Sequence, residues 1–136
     1  MLNWQHQNWV MGLIYAFLSS IILSMTAQTD VPYSSVEKAF SSNNASEIVN
    51  LGKEKILMNV LGKEGAYSKS QAGLVLKDFF TKKPCNTFKF IFKSKESADG
   101  CFAIGNYESK NETYRVTIHF KKESGNFKIE SLAIEK

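Results

Sequence analysis

The chain is 136 residues long, 43% hydrophobic and 22% charged, with a formal net charge of +4. That length suits one small domain, and the composition is too apolar for a disordered chain. Two cysteines with fifteen residues between them and His119, the one histidine outside the N-terminal segment, have no metal-ligand spacing, and +4 is a slight lysine excess, not a nucleic-acid footprint.

The chain opens on an apolar run. Trp9 to Met25, WVMGLIYAFLSSIILSM, is nearly continuous, and no Lys, Arg, Asp or Glu precedes Asp30. With Thr26-Ala27-Gln28 behind it, the run reads as a signal peptide over 1–27, cleaved near Ala27-Gln28. An uncleaved anchor is the rival reading, since about 17–25 apolar residues can span a bilayer. Cleavage predicts a secreted or periplasmic bacterial protein that meets the membrane only during export. The remainder, 28–136, has no internal repeat and no Pro/Gly-rich linker, so one domain is expected there.

Helical sequence comes next. Val36, Ala39 and Phe40 share one face of a short helix ending near Ser42. Asn44 and Glu47 have the spacing of a cap and its box, opening a second, shorter helix through Leu51. Lys55 to Val60, KILMNV, reads as a strand, and the following GKEG as a turn. In the helix Tyr67–Phe80, Ser68 is the cap and Gln71 stands where a reciprocal box needs it. Ala72, Val75, Leu76, Phe79 and Phe80 then form one apolar stripe, and Pro84 stops the helix.

Beyond Pro84 the period changes to two. Phe88, Phe90 and Phe92 form one row, and Phe102, Ile104 and Asn106 another after the Asp99-Gly100 turn signal. Tyr114, Val116, Ile118 and Phe120 make a third row. The last begins with Phe127 and Ile129 and slips phase near Ser131, which predicts a bulge. Helices followed by a four-strand meander with one apolar face give an α+β fold, with the long helix covering that face.

VEKAF, KEGAYSKSQAGLVLKDFFTKKP, AIGNYES, TYRV and a closing LAIEK, in this order, resemble a family of small secreted bacterial proteins known only as a domain of unknown function. The resemblance spans about Asp30 to Lys136. It implies a fold like that of nuclear transport factor two, ketosteroid isomerase and scytalone dehydratase: a cystatin-like cone of helices over a strongly bent sheet. Leu51-Gly52-Lys53 departs from the pattern where an aromatic would close the second helix. Relatives of this fold include enzymes, binding modules and dimerisation units, often joined through the outer sheet face, so the fold does not decide function.

The residues point to binding before catalysis. Enzymes of this fold class typically use a carboxylate or histidine inside the cone. Here Asp78 sits at a helix flank, and His119 shares strand phase with Arg115 and Lys121, away from the apolar row. No catalytic residue, metal site or cofactor is assigned. Setting Phe102 opposite Ile118 and Ile104 opposite Val116 brings Asn106 opposite Tyr114 and leaves a loop from Ser109 to Asn111, with Asn111 suited to positive φ. The expected site is therefore Asn106 and Tyr114 orienting a ligand whose apolar part rests on Phe90, Val75 and Phe79, with Ser131 nearby. That makes a binding or interaction domain with an apolar pocket between the helix and the sheet. A small cofactor-free isomerase- or dehydratase-like enzyme is the alternative.

The expected partner is an unknown small molecule or protein, with a homodimer through the sheet as a further option. The outer face should carry Lys89, Lys93, Arg115, Lys121 and Lys128, with Ile91, Tyr107 and His119 among them. Like charges would oppose self-association there unless Glu130 pairs with them. Cys85 and Cys101 fall at far ends of a hairpin arm, on the order of 25 Å apart at about 3.3 Å per residue. Two unpaired thiols are expected.

Overall fold

The computed structural model describes residues 30–136, and the segment read as a signal peptide or anchor lies outside them. α1, Tyr33–Ser41, buries Val36, Ala39 and Phe40, the face its spacing marks. Asn44 caps α2, Ala45–Asn50, its side-chain oxygen accepting from the Glu47 N–H at 3.2 Å. α3, Lys69–Lys82, starts at Ser68 with the full capping box to Gln71. The α3 stripe is buried at Ala72, Leu76, Phe79 and Phe80, while Val75 is half-buried at its edge.

Six strands form one sheet in the order β2-β1-β6-β5-β4-β3. They are β1 (Gly52–Val60), β2 (Lys63–Ser68), β3 (Thr87–Lys93), β4 (Gly100–Ser109), β5 (Glu112–Glu123) and β6 (Asn126–Glu135). β3 to β6 are the expected meander, and β1 joins it by pairing in parallel with β6. KEGAYS is a strand, not the end of a turn. The turn is the two residues Leu61-Gly62, whose φ values of 52° and 90° are both positive. They fold β2 straight back on β1, with Val60 opposite Lys63.

The phase slip in β6 is real. Phe120 faces Ile129 and His119 faces Ser131, so Glu130 is the extra residue. Burial passes from Phe127 and Ile129 to Leu132 and Ile134 across it. Ser131 thereby moves to the outer face.

β4 corrects the expected register by one residue. Phe102 pairs with His119, Ile104 with Thr117, and Asn106 with Arg115. Its inward row is Cys101, Ala103, Gly105 and Tyr107, and Phe102 and Ile104 are half-buried on the outside. The reason is space. A Cβ on Gly105 would stand 2.4 Å from the Phe88 ring, and Phe88 stacks on Phe40 of α1 at 4.4 Å. The bulk above β4 comes from β3 and the helices, so its own inward residues must be small. The β4–β5 loop shrinks accordingly to Lys110-Asn111, and Lys110 takes the positive φ.

β3 holds a second slip, between Phe90 and Phe92. Phe88 is buried and Phe90 packs on the core, but Phe92 turns outward and is half exposed.

Candidate functional site

The space between the helices and the sheet is occupied by aromatic rings. Phe79 lies 5.3 Å from Tyr107 and 5.5 Å from Tyr114, and Phe80 stacks on Tyr107 at 6.2 Å. Tyr107 is wholly buried and Tyr114 nearly so. The centre of the cone is therefore protein core, each ring seated on another.

An open groove of about 370 Å³ lies beside this core, between α3 and the β1–β2 hairpin. Val60, Tyr67, Val75 and Phe79 give it apolar walls, and Leu61 and Leu74 are its two exposed leucines. Its charged side chains are Lys63, Asp78 and Lys82. Asp78 pairs with Lys82 at 3.0 Å, one helical turn apart and with both side chains mostly in solvent.

Of the five expected site residues, Val75 and Phe79 line this groove. Phe90 packs instead against Tyr33 and Phe88, at 5.4 and 5.2 Å. Asn106 is half-buried on the outer face opposite Arg115, whereas Tyr114 is inward opposite Tyr107. The expected Asn106–Tyr114 pair does not exist, because the one-residue register change sends alternate side chains to opposite faces.

Tyr114 has another partner. Its hydroxyl donates to the Glu112 carboxylate, which also takes Lys83 Nζ at 3.1 Å and Lys136 Nζ at 3.8 Å. The Tyr107 hydroxyl donates to the Lys83 carbonyl. Hydrogen bonds from Tyr114 and then Lys83 hold the Glu112 carboxyl below the usual glutamate range. The Glu112 hydrogen bond in turn raises Tyr114, and Lys83 is raised by the same carboxylate. This cluster ties the segment after α3 to the β4–β5 hairpin and the last residue.

Both cysteines are free and buried. Burial pushes the Cys85 thiol up to about 11. Cys101 faces the Tyr33 hydroxyl at 3.8 Å and is raised by burial. The pair of unpaired thiols agrees with their spacing in the sequence. Among the described residues, no three His, Cys, Asp or Glu side chains gather as a metal site.

The outer sheet face is less basic than expected. Tyr107 points away from it into the core. Glu130 stands between Lys53 and Lys121, at 3.7 and 3.9 Å. Phe92, Phe102 and His119 follow one another across β3, β4 and β5 with centroids 5.6 and 5.5 Å apart. A second groove, of about 530 Å³, lies alongside, lined in part by Leu57, Thr117, His119 and Ala133.

A family model for a domain of unknown function, DUF4783, matches residues 33–135, three quarters of the chain and all the regular structure of the described residues. The chain belongs to the DUF4783 family. No curated protein matches it. A DUF4783 protein from Bacteroides ovatus is similar at 24% identity and a TM-score of 0.73, over 80% of this chain and 97% of its own. A Nostoc punctiforme domain with a cystatin-like fold is similar at 10% identity and a TM-score of 0.61, over 75% of this chain and 70% of its own. An NTF-2 like protein of unknown function from Silicibacter pomeroyi reaches 0.56 at 9% identity, over 92% and 97%. This DUF4783 domain is thus helices packed on a curved six-strand sheet, of the cystatin-like and NTF2-like kind.

Sequence reasoning missed Leu61, Lys63, Tyr67 and Leu74 as groove residues of this DUF4783 domain. One signal for them was present. Leu61-Gly62 sits between two runs of strand-like sequence, the position of a two-residue hairpin turn. Reading that turn would have brought Tyr67 back beside β1 and the leucine to the edge of α3.

Proposed function

We propose that this domain is a non-enzymatic binding module, acting after export, that holds an apolar ligand between α3 and the β1–β2 hairpin. The observation that carries the reading is the contrast in the groove walls. They are apolar, and the only carboxylate is an exposed one already paired with Lys82. The isomerase- or dehydratase-like alternative needs a buried acid or base facing a cavity, and the cone interior is filled by Phe79, Phe80, Tyr107 and Tyr114.

The test is native mass spectrometry of protein purified from its own host. The wild type is expected to carry a small molecule, and Val75→Asp to lose it while keeping the same circular dichroism. A wild type that arrives bare, or a retained molecule indifferent to Val75→Asp, overturns the reading.

A homodimer through the outer sheet is a second reading, favoured by Glu130. By sitting between Lys53 and Lys121 it removes part of the like-charge opposition that a two-fold contact would meet. Sedimentation equilibrium distinguishes dimer from monomer.

A further inference from the structure

The turn carrying Leu61 is an unusual place for a leucine. Both of its central residues have positive φ. In that geometry Asn-Gly or Asp-Gly is the common choice, and a bulky L side chain is strained. Leu61 is also 49% exposed. The residue is unfavourable in this turn on two separate counts, conformation and hydration. It is nonetheless part of the groove lining, as is Leu74, the most exposed large apolar side chain of the described residues at 67%. Apolar contact with a bound chain would reverse the hydration cost at both leucines.

The charges of the lining supply the second half of the argument. It holds two lysines and one aspartate. Asp78 is already engaged by Lys82, and none of the ion pairs among the described residues uses Lys63. The groove therefore offers apolar walls with one free cation at the start of β2. We infer that its ligand is a free single-chain amphiphile with one anionic head, a fatty-acid-like carboxylate. The chain lies against Val75 and Phe79 and is closed over by Leu61 and Leu74, and the head meets Lys63. This rests on the binding reading above and adds the ligand class to it.

Titration calorimetry of the purified protein with dodecanoate and with uncharged dodecanol tests the inference. Dodecanoate should bind more tightly than dodecanol. Lys63→Glu should weaken dodecanoate about fivefold, the scale of a partly exposed ion pair, and leave dodecanol unchanged. Leu61→Asn is the decisive variant. It restores the preferred turn residue, so the thermal midpoint should rise while both ligands bind more weakly. A leucine serving only the fold would not move the two readouts in opposite directions. Equal effects of Lys63→Glu on both ligands, or Leu61→Asn binding like wild type, overturn the ligand class and leave the groove standing. Failure of both ligands to bind wild type overturns the groove reading itself. Binding seen only to anionic vesicles would reject the free amphiphile in favour of a membrane surface.

Discussion

α3 builds two unlike places from one stretch of sequence. Toward α1 and the sheet it sends Leu76, Phe79 and Phe80, which meet Phe40, Tyr107 and Tyr114 and vanish from solvent. Toward the β1–β2 hairpin it sends Leu74 and Val75, which line a groove that no other part of the described chain fills. Phe79 belongs to both. The difference teaches where stability and recognition reside. Apolar area in the first place is already removed from water by neighbouring rings and contributes to folding. In the second, part of that area remains in water until a ligand arrives.

Substitutions can separate the two places. The largest effect is expected at Phe88→Ala, which removes a ring stacked on Phe40 and should cost about 3–5 kcal/mol in denaturant unfolding. Gly105→Ala attacks the same ring from beneath, since its new Cβ would press within 2.4 Å of it. Overpacking of that kind costs about 1–3 kcal/mol. Phe88→Leu combined with Gly105→Ala should recover part of the loss, because the ring no longer occupies the space. Additive losses would show that the two sites do not share it. None of these variants should alter ligand retention unless the fold is lost.

The smallest effect is the acid response of Glu112, at the end of the filled region. Its native pKa is depressed, so its contribution is complete above the ordinary glutamate value of about 4.3 and fades as pH falls through the lower native value. Glu112→Gln should flatten the stability profile below about pH 4.3 and weaken its alkaline limb as well, because the same carboxylate raises Lys83 and Tyr114. An unchanged acid limb would detach Glu112 from the fold.

Much of the fold was legible because it is written in short-range chemistry. Ser68 with Gln71, Asn44 at its cap, Pro84 after α3 and the slip around Glu130 each act within a few residues of themselves. The site was less legible because it depends on what lies above a strand. Phe102 and Ile104 look like core residues by size, yet their smaller neighbours Ala103 and Gly105 face inward beneath Phe88. Nothing within β4 announces a ring brought from β3. Asn106 was misplaced by that step, and Tyr114, facing inward as expected, was given the wrong partner. Val75 and Phe79 lie on the α3 stripe that helical periodicity marks, which needs no knowledge of the opposite wall.

The parallel pairing of β1 with β6 has a consequence for how the domain comes into being. β6 lies between β1 and β5, so within the sheet it alone joins the β1–β2 hairpin to the β3–β4–β5 half. Because synthesis runs from the N-terminus, the two halves of the sheet remain unjoined until the ten-residue strand β6 has emerged. Closure of so long a loop is slow relative to the forming of local hairpins. During that interval Met58 and Val60 on one half, and Val116 and Ile118 on the other, lack the Leu132 and Ile134 that later pair with them. The nascent chain is in effect kept unfinished by its own strand order.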